Sequence, residues 1–497
     1  MKQSIVYNFD AKGYDTFVIP VVKGYSIMPK WLEEAGLVKG MLEREFEVGA
    51  KQKIKHITMP KDGKLLNYII VNLGESAKLN GDILFQSISM AYAKCKEIEA
   101  VNILVYAEHL NNTANSIDYL RRIFEAGGLL DYSFDTYKSE KSVVTIENID
   151  YIGFCSSTDQ IIREAEYCIS GIKLARSLIN EPPHILTPLK LAEEALEVGK
   201  RHGIKVTVLE EKDIEKLGMN TFLAVGRGST YKPVLIVMEY EGDRDNDSKL
   251  GMAGKGLTFD TGGYSLKSDK DMLNMHDDMG GAAALLGALS VISSMKLKLN
   301  IVGVIAACEN KISGGSLLPG EIIKSMSGKY IEINNTDCEG RLTLADAITY
   351  LLECHKVNRV IDIATLTGSV HTALGNNIAG IFTDDEIMRK AIGVSSLKYG
   401  EKIWELPLDE DFRIALNSDT ADIKNSTTDS NVGGFPSVAA MFIKEFTDST
   451  PWLHIDIGGV NWEKSGTAWC PTGGKGFGVK LLYGIACELE KIKYKDR

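Results

Sequence analysis

Asn334-Asn335-Thr336-Asp337-Cys338-Glu339-Gly340-Arg341-Leu342 places two acids and an arginine around one glycine. Asp337 and Glu339 stand two apart, so in an extended conformation both carboxylates point the same way. Ala345-Asp346-Ala347-Ile348 continues as a helix. Charged residues recur in this manner from Gly254 onward, where core residues would be expected. Gly254-Lys255-Gly256-Leu257-Thr258-Phe259-Asp260-Thr261-Gly262-Gly263 sets a lysine and an acid in a glycine-flanked turn. Asp278 opens Asp278-Met279-Gly280-Gly281-Ala282-Ala283-Ala284. An acid at a helix start is by itself a good cap. The two glycines after it weaken the helix, which implies that the backbone there approaches something closely.

Outward from these segments the chain alternates strands and helices, the pattern of layered α/β proteins. Lys205 to Leu209 reads as a strand, and Leu223-Ala224-Val225-Gly226 and Val234-Leu235-Ile236-Val237-Met238 as buried strands. Met279 to Met295 is the longest mostly apolar run. It falls short of the roughly 20 residues of a membrane span and reads as a packed core helix. Ser157 to Ile179 reads as one long helix, with Ser157, Thr158 and Asp159 as N-cap candidates and Pro182-Pro183 beyond its end. Thr187-Pro188 starts another. Before them, Thr16 to Val22, Tyr68 to Leu73 and Asn102 to Tyr106 are strand-like, and Ile83 to Glu99 and Ile117 to Ala126 are helical. The expected architecture is two α/β domains: a smaller N-terminal one over 1–155, a linker helix over 156–185, and a larger C-terminal catalytic domain over 186–497. The larger domain is expected to hold a central mixed sheet flanked by helices.

The chain has 497 residues, 44% of them apolar and 25% charged, as in soluble globular proteins. At ~150 residues per domain the prior is about three domains, and the core is ample. A net charge of −11 argues against a general binder of phosphate backbones. The first residues, Met1 to Asp10, hold no apolar stretch long enough for a secretory signal. The eight cysteines, without a Cys-x-x-Cys pair, are expected as free thiols in a reducing compartment, so a cytoplasmic protein is expected. His56 and His109 stand alone and are read as surface or hydrogen-bonded residues.

Four carboxylates (Asp260, Asp278, Asp337, Glu339) and Lys255 in three glycine-rich segments suit hard or borderline divalent cations. Two ions ~3.5–4 Å apart, sharing bridging carboxylates, would use all four acids. A phosphate-loop reading of Gly254-Lys255 fails, because the Gly-x-x-x-x-Gly-Lys-Ser/Thr pattern is absent.

These residues resemble the leucyl (cytosol) aminopeptidase family of dinuclear metallo-exopeptidases. The resemblance rests on Lys255-x4-Asp260, Asp260-x6-Lys267, Asp278-Met-Gly-Gly-Ala-Ala and Asn335-Thr-Asp-Cys-Glu-Gly-Arg-Leu. It extends over about residues 160 to 490 and takes in Asn180-Glu181-Pro182, Ala364-Thr365-Leu366-Thr367-Gly368, His454-Ile455-Asp456-Ile457 and Gly476-Phe477-Gly478-Val479. The first 155 residues match only in general α/β pattern.

The resemblance implies one metal on Asp260, Asp337 and Glu339 and a second on Lys255, Asp260, Asp278 and Glu339, with Asp260 and Glu339 bridging. The ions would be zinc or manganese, with cobalt or magnesium as alternatives. Lys255 must be neutral to donate its lone pair, and adjacent metal charge lowers its pKa. Lys267 would polarise the scissile carbonyl, and Arg341 would hold a bicarbonate acting as general base. The free amine of a peptide would bind the second metal, and a shared, acidified water would attack the carbonyl. Backbone groups around Thr365 and Leu366 would lie at the reacting centre, while Met275, Thr365 and Gly368 would line a pocket for Leu-like and Met-like residues. The resemblance also implies a homohexamer.

The chain departs from the family pattern at Thr261, where serine is usual, and at Ser268, where a proline is common and whose loss loosens the loop. It departs again at Met275-His276-Asp277, where His276 is read as a rim residue rather than a ligand. Two other readings remain. A nucleic-acid-binding regulator would need a basic N-terminal face. Lys51, Lys53, Lys55, Lys61 and Lys64 supply a local basic stretch, but Glu43, Glu45 and Glu47 precede it and Asp62 interrupts it. A two-metal phosphoesterase shares the carboxylates, whereas the lysine ligand and the full Asn-Thr-Asp-x-Glu-Gly-Arg match speak against it. No membrane partner is expected.

Overall fold

The computed structural model describes residues 1–8, 10–23, 30–34, 54–110, 116–154, 158–427 and 432–495. Glu43, Glu45, Glu47, Lys51, Lys53, Cys155, Ser157 and the His109 side chain lie outside the described residues. The chain forms two compact units, Met1–Ile169 with Ser465–Pro471, and Ser170–Lys464 with Thr472–Arg497. The division falls inside the helix Asp159–Asn180.

The first unit is built on six strands, β1 (Lys2–Val6), β2 (Thr16–Lys23), β3 (Ile54–Lys61), β4 (Lys64–Glu75), β5 (Asn102–Tyr106) and β6 (Asn148–Ile152). They lie in the order β1-β6-β5-β2-β4-β3, parallel except for the β3–β4 hairpin, with the helices Gly81–Glu97 and Ser116–Leu129 between strands as the apolar spacing predicts. Lys55, Lys61 and Lys64 of the basic stretch stand on that edge hairpin. His56 is hydrogen-bonded to Asn67 (2.9 Å).

The second unit is centred on eight strands. They are β7 (Lys205–Leu209), β8 (Val234–Glu241), β9 (Lys249–Asp260), β10 (Asn300–Asn310), β13 (Arg359–Ala364), β14 (Ile378–Phe382), β15 (Lys402–Glu405) and β17 (Trp452–Asp456). Between these fall β11 (Ile322–Lys324), β12 (Tyr330–Glu332) and β16 (Ile423–Lys424), which form a small separate sheet. The large sheet runs β15-β14-β17-β13-β9-β10-β8-β7, with β10, β9, β13 and β17 mutually parallel and the flanks antiparallel in part. It is the mixed sheet expected. β10 is buried along its whole length, as a central strand covered on both faces must be. Ala253 and Leu257 of β9 join the core cluster of the Gly340–His355 helix, whereas Gly254 abuts the Gly280–Ser294 helix on the other face. That second helix is the buried element read from Met279 to Met295. The chain's described cysteines are all free thiols. Among the described residues, no helix is long and apolar enough to cross a membrane.

Two expectations need correction. Leu223–Gly226 belongs to a short helix, Asn220–Gly226, rather than a strand. A four-residue apolar run fits either, and here Phe222 N–H and the Thr221 hydroxyl tie the segment to Asp346 and Leu342 of the helix Gly340–His355. Lys255 lies in mid-strand on β9 rather than in a turn, and the chain turns only beyond the strand, at Gly263 and Tyr264.

Candidate metal centre

The four parallel strands end on one edge of the sheet, at Asn310, Asp260, Ala364 and Asp456, and the loops leaving that edge carry the site residues. Ligand sites of open α/β sheets sit at such carboxyl ends. Lys255 and Asp260 are five residues apart, so strict alternation would send them to opposite faces. A bulge between Leu257 and Phe259, where β10 advances only from Cys308 to Glu309, adds Thr258 to β9 and returns Asp260 to the Lys255 face.

The second carboxylate group comes from the segment Asn334–Glu339, which is a turn rather than the extended piece expected, with Cys338 N–H bonded to the Asn335 carbonyl. The turn aims Asp337 and Glu339 at Asp260, and ligand oxygens of these three residues lie within 4.8 Å of one another. Glu339 sits at the N-terminal end of the Gly340–His355 helix without capping it, so its charge is stabilised by the helix dipole while the carboxylate stays available. Gly340 is required there, because a Cβ would stand 2.5 Å from Lys255 Cε.

Asp278 ends up beside these residues by a different route. It lies in a 3-10 turn, Met275–Met279, and the cap position of the following helix is Met279, so its carboxylate is not a cap. The close approach implied by the paired glycines is real, since a Cβ on Gly281 would meet the Ile363 carbonyl at 2.1 Å.

Lys255 Nζ contacts Asp278 Oδ1 (2.8 Å), Glu339 Oε1 (2.9 Å) and the Thr365 carbonyl (3.0 Å). Lys267 Nζ lies 2.8 Å from Asp260 Oδ2 and is bonded to Asp337. Asp260 Oδ1 accepts from Gly262 N–H and Asn310 Nδ2, both at 2.8 Å. Lys255, Asp260, Asp278 and Glu339 are at most 4% exposed. Burial alone would push both ammonium groups toward neutrality, but the surrounding carboxylates reverse this and hold Lys255 and Lys267 charged. Burial and mutual repulsion raise the carboxyls of Asp278 and Asp337 above the usual range. Four acids stand against two ammonium groups, so the cluster has more carboxylates than cationic partners, an arrangement that favours further cations. Glu339 Oε2 is buried with no hydrogen-bond partner among the described residues, and it is an open ligand position. The donor set therefore fits divalent metal.

A cavity of about 640 Å³ opens on this cluster and is lined by the five predicted ligands, Lys267, Met275, Thr365, Leu366 and Gly368. Asp456 shapes the last of these walls, accepting from Leu366 N–H (3.2 Å), Thr367 Oγ1 (2.7 Å) and Gly458 N–H (3.0 Å). His371, Asn376, Trp462 and Lys464, none of them expected at the site, also line this space. Their spacing holds no shared motif that could have flagged them. Arg341 is buried and donates to the Asn425 carbonyl (2.8 Å), while its Nε has no partner among the described residues.

Of the departures, Thr261 Oγ1 bonds the Asn310 carbonyl (2.9 Å). Ser268 caps the short helix Asp269–Met272, so the hydroxyl restrains a loop expected to be loosened. His276 packs edge-on against Trp462 at 5.3 Å. Burial pushes the carboxyl of Asp277 up to about 7.

Next to the site, β17 and β13 pair His454 with Asp362, at 2.6 Å, and Trp452 Nε1 donates to the other Asp362 oxygen, also at 2.6 Å. Burial opposes a charge on His454, but the Asp362 carboxylate outweighs it and lifts the imidazole above its ordinary pKa of 6.5. The folded chain therefore binds this proton more tightly than the unfolded one, so the contribution is full below pH ~6.5 and is lost as pH rises through the folded value. Asp362→Asn is expected to cost about 1.5–3 kcal/mol near pH 6, and less at pH 8.5. Thermal melts of both proteins across that range check this, and a difference independent of pH would contradict it.

Comparison with known proteins gives a consistent picture. A family model described as "Cytosol aminopeptidase family, catalytic domain" matches residues 173–483, and one for the "Cytosol aminopeptidase family, N-terminal domain" matches residues 34–141. A "Probable cytosol aminopeptidase" of Clostridium perfringens is 38% identical over 97% of this chain and 99% of its own length. One of Fusobacterium nucleatum is 37% identical over 90% and 91%. Among solved structures, "Bottromycin maturation enzyme BotP in complex with Mn" aligns with a TM-score of 0.84 at 27% identity, covering 96% of this chain and all of that one.

Proposed function

The chain belongs to the cytosol aminopeptidase family and is a metal-dependent aminopeptidase, and on that premise we propose that it releases Leu-like or Met-like N-terminal residues from peptides at a two-metal centre. The observation that carries this reading is the convergence of Asp260, Asp337 and Glu339 beside the Lys255–Asp278 pair. Asp260, Asp337 and Glu339 would hold one ion; Asp260, Asp278 and Glu339 would hold the other together with Lys255, which would have to give up the proton that the metal-free carboxylates keep on it. Manganese and zinc both suit this oxygen-rich donor set. Bound there, the metals would supply Lewis acidity and an acidified water at neutral pH.

The chain's own groups do the rest. Lys267, kept charged between Asp260 and Asp337, is placed to donate to a carbonyl oxygen as negative charge develops on it. Asp456 fixes the Thr365–Gly368 loop, so backbone groups at Thr365 and Leu366 can orient the peptide. Met275 with Thr365 and Gly368 gives a pocket wall suited to Leu and Met side chains, and in such a pocket one methylene changes the preference by only ~1–3 kcal/mol. Arg341, with its unpartnered Nε, is the group that would hold a bicarbonate. Assembly as a homohexamer and work in the cytoplasm belong to the same reading. The relatives' printed names support the location.

Chelation is the direct test. Treatment with a strong chelator is expected to remove nearly all hydrolysis of leucine amide, and Mn²⁺ or Zn²⁺ is expected to restore it. Activity that survives chelation in metal-free buffer would sink the proposal.

A further inference from the structure

The turn that carries Asp337 and Glu339 has few hydrogen bonds of its own, and one residue some 90 positions away closes it. Asn425 follows β16, which pairs in parallel with β12, Ile331 opposite Ile423 and Glu332 opposite Lys424. Its own N–H continues that pairing to the Glu332 carbonyl (2.9 Å). The side chain is fully buried and works in both directions at once. Oδ1 accepts from Asn334 N–H (3.0 Å) and Asn335 N–H (3.3 Å). Nδ2 donates to the Asn335 carbonyl (2.6 Å) and reaches the Cys338 carbonyl at 3.5 Å. The Asn425 carbonyl takes Arg341 Nη1 (2.8 Å), and the next carbonyl, of Ser426, takes Asn334 Nδ2 (2.7 Å).

The opposite side of the turn is tied to the Asp260 loop. Thr336 Oγ1 donates to the Gly262 carbonyl (2.7 Å) and accepts from Ser265 N–H (2.8 Å), and Thr336 N–H donates to Ser265 Oγ (3.1 Å). Asn310 Nδ2 bonds both Asp260 Oδ1 (2.8 Å) and the Thr336 carbonyl (3.0 Å). The turn is thus held between Asn425 on one side and the Asp260 loop on the other.

We infer that Asn425 is a positioning residue for the metal centre: its carboxamide fixes the turn that aims Asp337 and Glu339 at Asp260, while its backbone carbonyl takes Arg341. The inference rests on the metal reading of the cluster. Only a carboxamide of this length supplies an acceptor to two N–H groups and a donor to carbonyls from one point. Aspartate keeps the size but offers no donor, so its charge would face the Asn335 and Cys338 carbonyls. Groups that orient ligands typically change metal affinity 10- to 100-fold when removed.

The test is calorimetric titration of metal-free full-length protein with Mn²⁺, for the parent, Asn425→Asp, Asn334→Ala and Asp337→Ala, with a thermal melt of each metal-free protein. The expected result is a fall in affinity of about 10- to 100-fold for Asn425→Asp. A smaller fall in the same direction is expected for Asn334→Ala, which removes only the Ser426 contact and stands in if Asn425→Asp does not fold. A purely structural role would lower the melting temperature and leave affinity, measured well below it, unchanged, and that result would overturn the inference. If Asp337→Ala also leaves Mn²⁺ affinity unchanged, the metal reading itself fails. If Asp337→Ala weakens binding while both asparagine variants do not, only the positioning role of Asn425 fails.

Discussion

Lys267→Met is expected to lower kcat by about 10²- to 10³-fold, the loss seen when a single preorganised donor to a developing oxyanion is removed. Methionine keeps much of the stem's bulk and removes the charge. Because Lys267 pairs with Asp260 and Asp337 in the metal-free arrangement, its loss also frees two proposed ligands. Metal content should therefore be kept or increased while turnover collapses, with KM changed only a few-fold. Steady-state kinetics and elemental analysis of one preparation check both parts. Loss of metal in step with activity would assign Lys267 to the integrity of the site rather than to the reaction.

Glu339→Gln is expected to have the larger effect on binding. Glu339 is the acid common to both halves of the cluster, within reach of Asp260 and Asp337 through one grouping and of Lys255 at 2.9 Å through the other. The amide keeps the shape and removes one charge from a site whose attraction for cations rests on its excess of carboxylate. Affinity for both ions should fall on the order of 100-fold or more, beyond the effect of removing a group that only orients a ligand. Hydrolysis should fall with it. A variant that loses one ion and binds the other as the parent does would show that Glu339 does not bridge.

The sequence carried the residue types of the site far better than the backbone that assembles them. Glycines beside Lys255, Asp260, Asp278 and Glu339 were legible because each marks a place where a Cβ or an ordinary φ would be obstructive, and Gly281 and Gly340 act in that way. On the antiparallel flank of the large sheet β7 and β8 were legible as short apolar or β-rich runs. The parallel strands β9, β10, β13 and β17 were not singled out, β9 because glycines and charged residues interrupt its run. The bulge at Thr258 was not legible, since a single extra residue changes the facing of Asp260 without changing composition. The Asn334–Glu339 turn was read as extended for a related reason. Two acids at i and i+2 suit a strand, and the bonds that bend the segment come from Asn425, some 90 residues away. Asp362 and His454 meet only because β13 and β17 are neighbours, and no local pattern announces that pairing. Asn220–Gly226 became a helix through bonds to the Gly340–His355 helix, again a tertiary cause.

The most direct measurement is a titration of metal-free protein with Mn²⁺, Zn²⁺ and Co²⁺ separately, reading bound ion per chain and hydrolysis of a leucine anilide together. A two-metal centre predicts binding of two ions per chain, with full hydrolysis only once both are bound and little with either ion site empty. Full hydrolysis at one ion per chain, or none with any of the three metals from folded protein, would contradict it.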